Sequence, residues 1–328
     1  MATYKGINGF AVQSVASDPS PLDEGQVWYN NVGYAFKIAA RSSGTWASGG
    51  NLSTARGGMY TAGTQTANLV SGGAPLGGGV GTDQTELYNG TSWTTSGAYP
   101  AANAGGGGCG TQTAALGFAG GLNANLPVIT TSAEFNGSTW TAGNPVNTAR
   151  RFIAGSFGTQ TAAIGAGGFS PNSSAVESYD GTTWTTLTSL PATRGDGGGA
   201  GTQTAGILFG NRNALPIGSV VLYNGTAWTS ATNMNTARQS QAGSGTQTSA
   251  VQFGGYDGTA YTGATEEWNG TSWFNSGSLA TARGYPSGSP AGTQAVALAA
   301  GGLAPGTSTA TEEYTGASNP VTKTITTS

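Results

Sequence analysis

Apolar residues in this chain come in runs too short for helices and too regularly spaced for a disordered chain. Residues 104–143 show the pattern. A glycine-rich stretch leads to a turn at Gly110-Thr111-Gln112 and then to the apolar run Ala114-Ala115-Leu116-Gly117-Phe118-Ala119. A polar segment follows, then the short run Ser132-Ala133-Glu134-Phe135, a turn at Asn136-Gly137, and a last segment carrying Trp140. No window shows a 3.6-residue apolar period, and glycine recurs throughout, which argues against helix. The pattern predicts four short β-strands per unit, the last two joined by an Asn-Gly turn of type I′.

The unit recurs. Trp46, Trp93, Trp140, Trp184, Trp228 and Trp273 stand 44 to 47 residues apart. A Gly-Thr-Gln triplet places Gln65, Gln112, Gln160, Gln203, Gln247 and Gln294 in the same order. An aromatic precedes each Asn-Gly or its variant: Tyr88, Phe135, Tyr179, Tyr223, Trp268 and Tyr314. A Gly-Gly pair closes the apolar run in five units, and Gly210-Asn211 stands there in the fourth. Such periodicity marks a repeat architecture. Small residues in the first strand and large rings in the last suit a wedge that is narrow inside and wide outside. The expected fold is an all-β, six-bladed β-propeller of four-stranded blades. The last unit lacks a tryptophan after Tyr314-Thr315-Gly316, and Ser43-Gly44-Thr45-Trp46 stands before the first complete unit. Trp46 is therefore expected to complete the sixth blade beside Tyr314, removing two free sheet edges and closing the ring.

A strand closed by Gly-Gly, an aromatic, a tryptophan some six residues on and then Leu190-Pro191-Ala192-Thr193-Arg194 resembles the kelch repeat, over roughly residues 44–316. The period is shorter than usual and the Gly-Thr-Gln turn is a departure. The resemblance implies a propeller and leaves function open, since propellers of this kind serve as enzymes, adaptors and adhesins. Residues 1–40 lie outside the repeat. There, Leu22-Asp23-Glu24-Gly25-Gln26-Val27-Trp28-Tyr29-Asn30 followed by Tyr34-Ala35-Phe36-Lys37 resembles a hairpin near the N-termini of phage tail and other virion proteins. The alternative is an edge hairpin belonging to the fold. The expected division is residues 1–40, the propeller at 41–317 and a tail at 318–328.

Composition narrows the function. Charged residues make up 8% of the chain and the net charge is −3, which gives no basic footprint for nucleic acid. No apolar run is long enough to span a membrane, and the N-terminus lacks a secretory apolar region. With no histidine, imidazole acid–base chemistry and the usual zinc or copper ligand sets are missing, so no cofactor or metal is expected. Seven of the eight glutamates fall on the repeated strand position, where a structural role is expected, and Asp83, Asp196 and Asp257 lie in different units. The chain is therefore expected not to be an enzyme.

Five of the eight arginines, Arg56, Arg150, Arg194, Arg238 and Arg283, share one repeat position, and Asn103 takes it in the second unit. They are candidate binding residues, because matching arginines face the funnel in peptide-binding kelch domains; the structural alternative is that each holds loop carbonyls. Strand alternation puts them on one face with the variable segments 74–83, 122–130, 169–174, 211–217, 256–263 and 303–309. Variable loops on a rigid scaffold carry specificity, so Phe169, Tyr256 and Tyr261 join the candidates. The functional expectation is a structural or adhesive protein of a bacteriophage particle, located in the virion. Residues 1–40 would dock to other virion proteins, and the loop face would meet a host-surface glycan or protein. A lectin-like module outside any virus and an intracellular adaptor are the alternatives.

Overall fold

A computed structural model describes residues 4–5, 11–20, 25–75, 80–121, 127–169, 171–213, 215–317 and 321–325. Among them there is no helix, and all but one strand pair is antiparallel. The chain divides into two compact units, Thr45–Thr315 and Met1–Gly44 with Gly316–Ser328.

The larger unit is β-propeller-like. Its first sheet comprises Tyr60–Gly63, Asn68–Ser71, Thr85–Tyr88 and Trp93–Ser96, and its second Gly107–Thr111, Ala114–Phe118, Ser132–Phe135 and Trp140–Gly143. The third comprises Gly155–Thr159, Ala162–Gly168, Ser173–Tyr179 and Trp184–Thr186; the fourth Gly198–Thr202, Ala205–Asn213, Leu215–Tyr223 and Trp228–Ala231. The fifth comprises Ala242–Thr246, Ser249–Phe253, Thr265–Trp268 and Trp273–Ser276. A sixth sheet has three strands, Val296–Ala300, Thr311–Thr315 and, from the far end of the unit, Thr45–Ser48. In its register Tyr314 faces Trp46, as the spacing of the repeats predicts. A fourth regular strand is missing because Pro286 and Pro290 interrupt the first segment of this repeat, and proline cannot donate to a ladder. Only isolated bridges, Ser287 with Ala300 and Thr293 with Val296, remain there.

The same contacts recur from sheet to sheet. The repeat aromatic and the tryptophan are directly opposed in every sheet, with ring centroids 4.7 to 5.3 Å apart. Each repeated glutamine amide donates to two backbone carbonyls of the preceding sheet: Gln112 to Asn68 and Tyr88, Gln160 to Ala115 and Phe135, Gln203 to Ala163 and Tyr179, Gln247 to Gly206 and Tyr223, Gln294 to Ala250 and Trp268. Gln65 does the same to Ala297 and Tyr314 of the sixth sheet. The apolar core is divided into clusters shared by consecutive sheets; one joins Leu298 and Ala300 of the sixth sheet to Val70 and Tyr88 of the first. First strands approach backbone to backbone. A Cβ on Gly108 would lie 2.7 Å from both the nitrogen and the oxygen of Thr61, so the close approach demands glycine.

The Asn-Gly turns differ from the type I′ expectation, which needs positive φ at both residues. Only the glycine has it, Gly90 at 90° for example. The asparagine keeps ordinary backbone and uses its side chain instead: Asn89 Oδ1 accepts from the amides of Thr91 and Ser92, both at 2.9 Å. Asn136, Asp180, Asn224 and Asn269 repeat this arrangement.

In the smaller unit, Val27–Asn30 and Ala35–Ala40 form the antiparallel hairpin read from the sequence. It belongs to a five-stranded sheet with Tyr4–Lys5, Ala11–Val15 and the C-terminal strand Val321–Thr324, which pairs with Ala35–Ala40. Asp18 holds this hairpin by accepting from Trp28 at 3.1 Å, Asn30 at 3.0 Å and Lys37 at 2.9 Å. Residues 22–24 of the sequence motif lie outside the described residues.

Candidate functional site

The repeated arginines are buried, and four are neutralised within their own sheets. Arg56 pairs with Glu86 at 2.7 Å, and Arg150, Arg238 and Arg283 pair with Glu177, Glu266 and Glu312. The partners stand 27 to 30 residues apart, with the arginine just before the first strand and the glutamate on the third. The other carboxylate oxygen of each glutamate accepts from the amide three residues before the arginine: Ser53, Asn147, Asn235 or Ala280. The arginines also cap carbonyls, as Arg150 does at Gly167 and Arg283 at Ala310. Burial lowers the pKa of Arg56, Arg238 and Arg283, and the carboxylates oppose that shift.

Two repeats lack the glutamate, and one of them lacks the arginine as well. Where the glutamate is Ala133, the arginine is Asn103, which donates to Tyr60 Oη and to the Ala119 carbonyl. Where the glutamate is Val221, Arg194 turns to Ser219 Oγ at 2.8 Å and the Ser219 carbonyl at 3.0 Å. Burial takes Arg194 down to about 10, so it remains charged at neutral pH. All five arginines thus hold backbone carbonyls, the contact named in the structural alternative.

A second glutamate series joins neighbouring sheets. Glu134 accepts from Tyr179 Oη at 2.6 Å, Glu267 accepts from Tyr314 Oη, and Glu313 accepts from Tyr88 Oη at 2.6 Å. Burial, reinforced by the Glu313 carboxylate, pushes the Tyr88 phenol up to about 12. Where this glutamate is Leu87, the next sheet carries Phe135, which has no hydroxyl to satisfy.

The chain departs most from uniformity two residues after each arginine position. Gly58, Gly105, Phe152, Asp196, Ser240 and Tyr285 all lie in the left-handed region, with φ between 50° and 70°. Their backbones are linked in series. Gly105 N–H donates to the Gly58 carbonyl, Phe152 to Gly105, Asp196 to Phe152, Ser240 to Asp196, Tyr285 to Ser240, and Gly58 to Tyr285. Two repeats meet the backbone requirement with glycine, while four place a side chain there.

Those side chains meet. Asp196 is buried, and its Oδ2 accepts from Tyr285 Oη at 2.7 Å, Ser240 Oγ at 3.2 Å and Arg212 Nη1 at 3.5 Å. Burial raises the Asp196 pKa above the ordinary carboxylate range, against the pull of these donors. The Arg212 guanidinium is 36% exposed and lies 4.0 Å over the Phe169 ring. Phe152 lies between Phe169 and Tyr285, at centroid distances of 6.5 and 5.9 Å, with the Arg151 guanidinium 5.1 Å over it. Below this cluster a cavity of about 130 Å³ begins at the next residue of each repeat, lined by Met59, Gly106, Ile153, Gly197, Gln241 and Pro286. Gln241 Oε1 and Ser287 Oγ, both from residues that line it, are buried and have no hydrogen-bond partner among the described residues.

No family model matches the chain, and no curated protein matches it.

Of the sequence candidates, Phe169 belongs to this cluster. Tyr261 is close by, its ring against Gly284, the residue before Tyr285. Tyr256 packs edge-on against Tyr261 at 5.8 Å, and both rings are half-buried. The bridges Gly57–Ala74, Ala104–Gly121, Gln239–Tyr256 and Gly284–Leu303 set the arginine connections beside the segments that follow Gly-Gly, as strand alternation requires. Residues 76–79, 122–126, 170 and 214 of the variable segments lie outside the described residues. The six repeat tryptophans are structural: Trp46, Trp93 and Trp140 donate to Thr265, Thr311 and Thr85 of the preceding sheet, each at 2.9 Å. Sequence reasoning missed Phe152, Ser240, Tyr285 and Arg212 and left Asp196 unassigned. Alignment of the repeats on their arginines supplies the signal, a position that is glycine twice and four unlike residues otherwise.

Proposed function

We propose that residues 45–315 form a closed six-bladed propeller that acts as a non-enzymatic binding protein of a bacteriophage particle. Residues 1–40 dock to the particle, and the variable-loop face meets a host-surface glycan or protein. Closure is supported by contacts from the sixth sheet to the first of the same kinds as those between other neighbours: Gln65 to Ala297 and Tyr314, and Tyr88 to Glu313. Deleting residues 41–48 removes the strand that carries Trp46 and is expected to lower the melting temperature sharply; a melt equal to that of the full chain refutes closure.

One observation carries the binding reading. The chain's repeated charges are consumed in the frame, while its unlike aromatic, hydroxyl and carboxyl side chains collect on the face that carries the variable segments. A rigid frame under a varied surface is how binding scaffolds are built. Mass spectrometry of purified particles tests the virion assignment, and finding no trace of the chain rejects it in favour of a lectin-like module. Attachment of particles to host cells tests the face. Tyr256→Ala with Tyr261→Ala is expected to weaken attachment without unfolding the ring. Attachment that survives this pair but fails on altering the Gly-Thr-Gln turns moves the site to the opposite face.

A further inference from the structure

A side chain in the left-handed region is strained relative to glycine, whose lack of a Cβ leaves it free there. Gly58 and Gly105 show that glycine suffices at this repeat position, yet Phe152, Asp196, Ser240 and Tyr285 occupy it in the other four repeats. Strain retained where a relaxed alternative exists points to a use for the side chains themselves.

We propose that Phe152, Phe169, Asp196, Arg212, Ser240 and Tyr285 form a binding site for a neutral saccharide at the mouth of the propeller. The inference rests on the loop-face reading and names the ligand class and the residues. Asp196 is fixed by three donors, all of which fall on Oδ2, and among the described residues Oδ1 accepts none. Arg212, half-exposed beside it, supplies donors that the Asp196 contact does not exhaust. An adjacent acceptor and donor match vicinal hydroxyls, each of which both donates and accepts. The half-buried rings of Phe152 and Phe169 offer apolar faces to the C–H surface of a pyranose. Few polar groups set among aromatic walls are what a small-molecule site requires. The opposed charges of Asp196 and Arg212 disfavour ligands of either sign, since an acidic sugar meets the carboxylate and an amine meets the guanidinium. The unpartnered Gln241 Oε1 and Ser287 Oγ extend polar lining into the cavity below.

Saturation-transfer NMR on the full chain tests the site. The probes are the methyl glycosides of glucose, galactose and mannose, with N-acetylneuraminic acid and glucosamine as charged controls. At least one neutral glycoside is expected to receive saturation. Asp196→Asn, which tolerates the left-handed backbone, is expected to weaken that binding about tenfold or more, the scale of one charge-assisted bond, and Phe152→Gly, which relaxes the backbone, to weaken it about tenfold by removing an aromatic face. Thermal midpoints near that of the native chain show that the frame is intact in both variants. Neutral-glycoside binding untouched by both variants overturns the site and leaves the loop-face reading standing. Saturation of the charged probes alone, or of none, overturns the ligand class. The loop-face reading itself falls on a different result, particle attachment that survives the tyrosine pair and both of these variants.

Discussion

The frame and the mouth of this molecule follow opposite rules. In the frame, one solution is repeated: a buried arginine on a glutamate, a glutamine on two carbonyls, a tryptophan against an aromatic. Where the glutamate is lost the arginine position answers it, by replacement with Asn103 in the repeat of Ala133 and by the turn of Arg194 to Ser219 in the repeat of Val221. At the mouth the backbone repeats while the side chains do not, and Phe152, Asp196, Ser240 and Tyr285 make contacts found once each. The difference separates two patterns: repetition joins neighbouring sheets, and the left-handed position is where the side chains cease to repeat.

Substitutions in the frame should therefore cost stability, and those at the mouth should cost little. The largest effect is expected for Arg238→Met, which leaves the Glu266 carboxylate buried without its cation. Chemical denaturation should show a loss of about 3–5 kcal/mol. Arg194→Met strands only carbonyls and a hydroxyl, so about 1–3 kcal/mol is expected in the same measurement. Equal losses for the two would show that the carboxylate partner is irrelevant. Gln247→Ala and Gln65→Ala each remove two amide–carbonyl bonds and should cost about 1–3 kcal/mol apiece. A Gln65 variant that costs nothing while Gln247 does would mark the junction of the first and sixth sheets as unlike the rest.

The smallest effect, and the opposite sign, belongs to the mouth. Asp196 has a folded pKa above its unfolded value of about 3.9. The native state then holds the proton more tightly, so the contribution of Asp196 to stability falls as pH rises from the unfolded value through the folded one. Asp196→Asn should gain on the native chain at neutral pH and lose that gain in acid. A thermal midpoint series between pH 3 and pH 8 checks it, and an advantage that grows on acidification contradicts the sign.

Much of the frame was legible because repetition exposes it. The strand order, the opposed aromatic and tryptophan, and the pairing of Trp46 with Tyr314 all follow from spacing. The arginine and glutamate series were each visible, but their pairing was not, because the partners sit on different strands and meet only once the sheet is formed. The turn type was misread because Asn89 can satisfy amides with its side chain without adopting positive φ. Four strands were expected in the sixth repeat as well, and that expectation passed over Pro286 and Pro290, which interrupt its first segment. The mouth escaped because positive φ at Phe152 or Tyr285 runs against the intrinsic preference of those residues and is imposed by the surrounding backbone.

The sixth sheet also sets a timetable. Thr45–Ser48 leaves the ribosome well before its partner Thr311–Thr315, which comes near the end of the unit. At roughly 5–20 residues per second, the wait is on the order of 15–50 s. Throughout that interval the nascent chain carries an unpaired strand with Trp46 upon it, able to join the wrong sheet or another chain. Within the larger unit the last sheet to form is then also the first one begun, and crowding on a polysome becomes a hazard for this architecture in a way that no property of the finished molecule reveals.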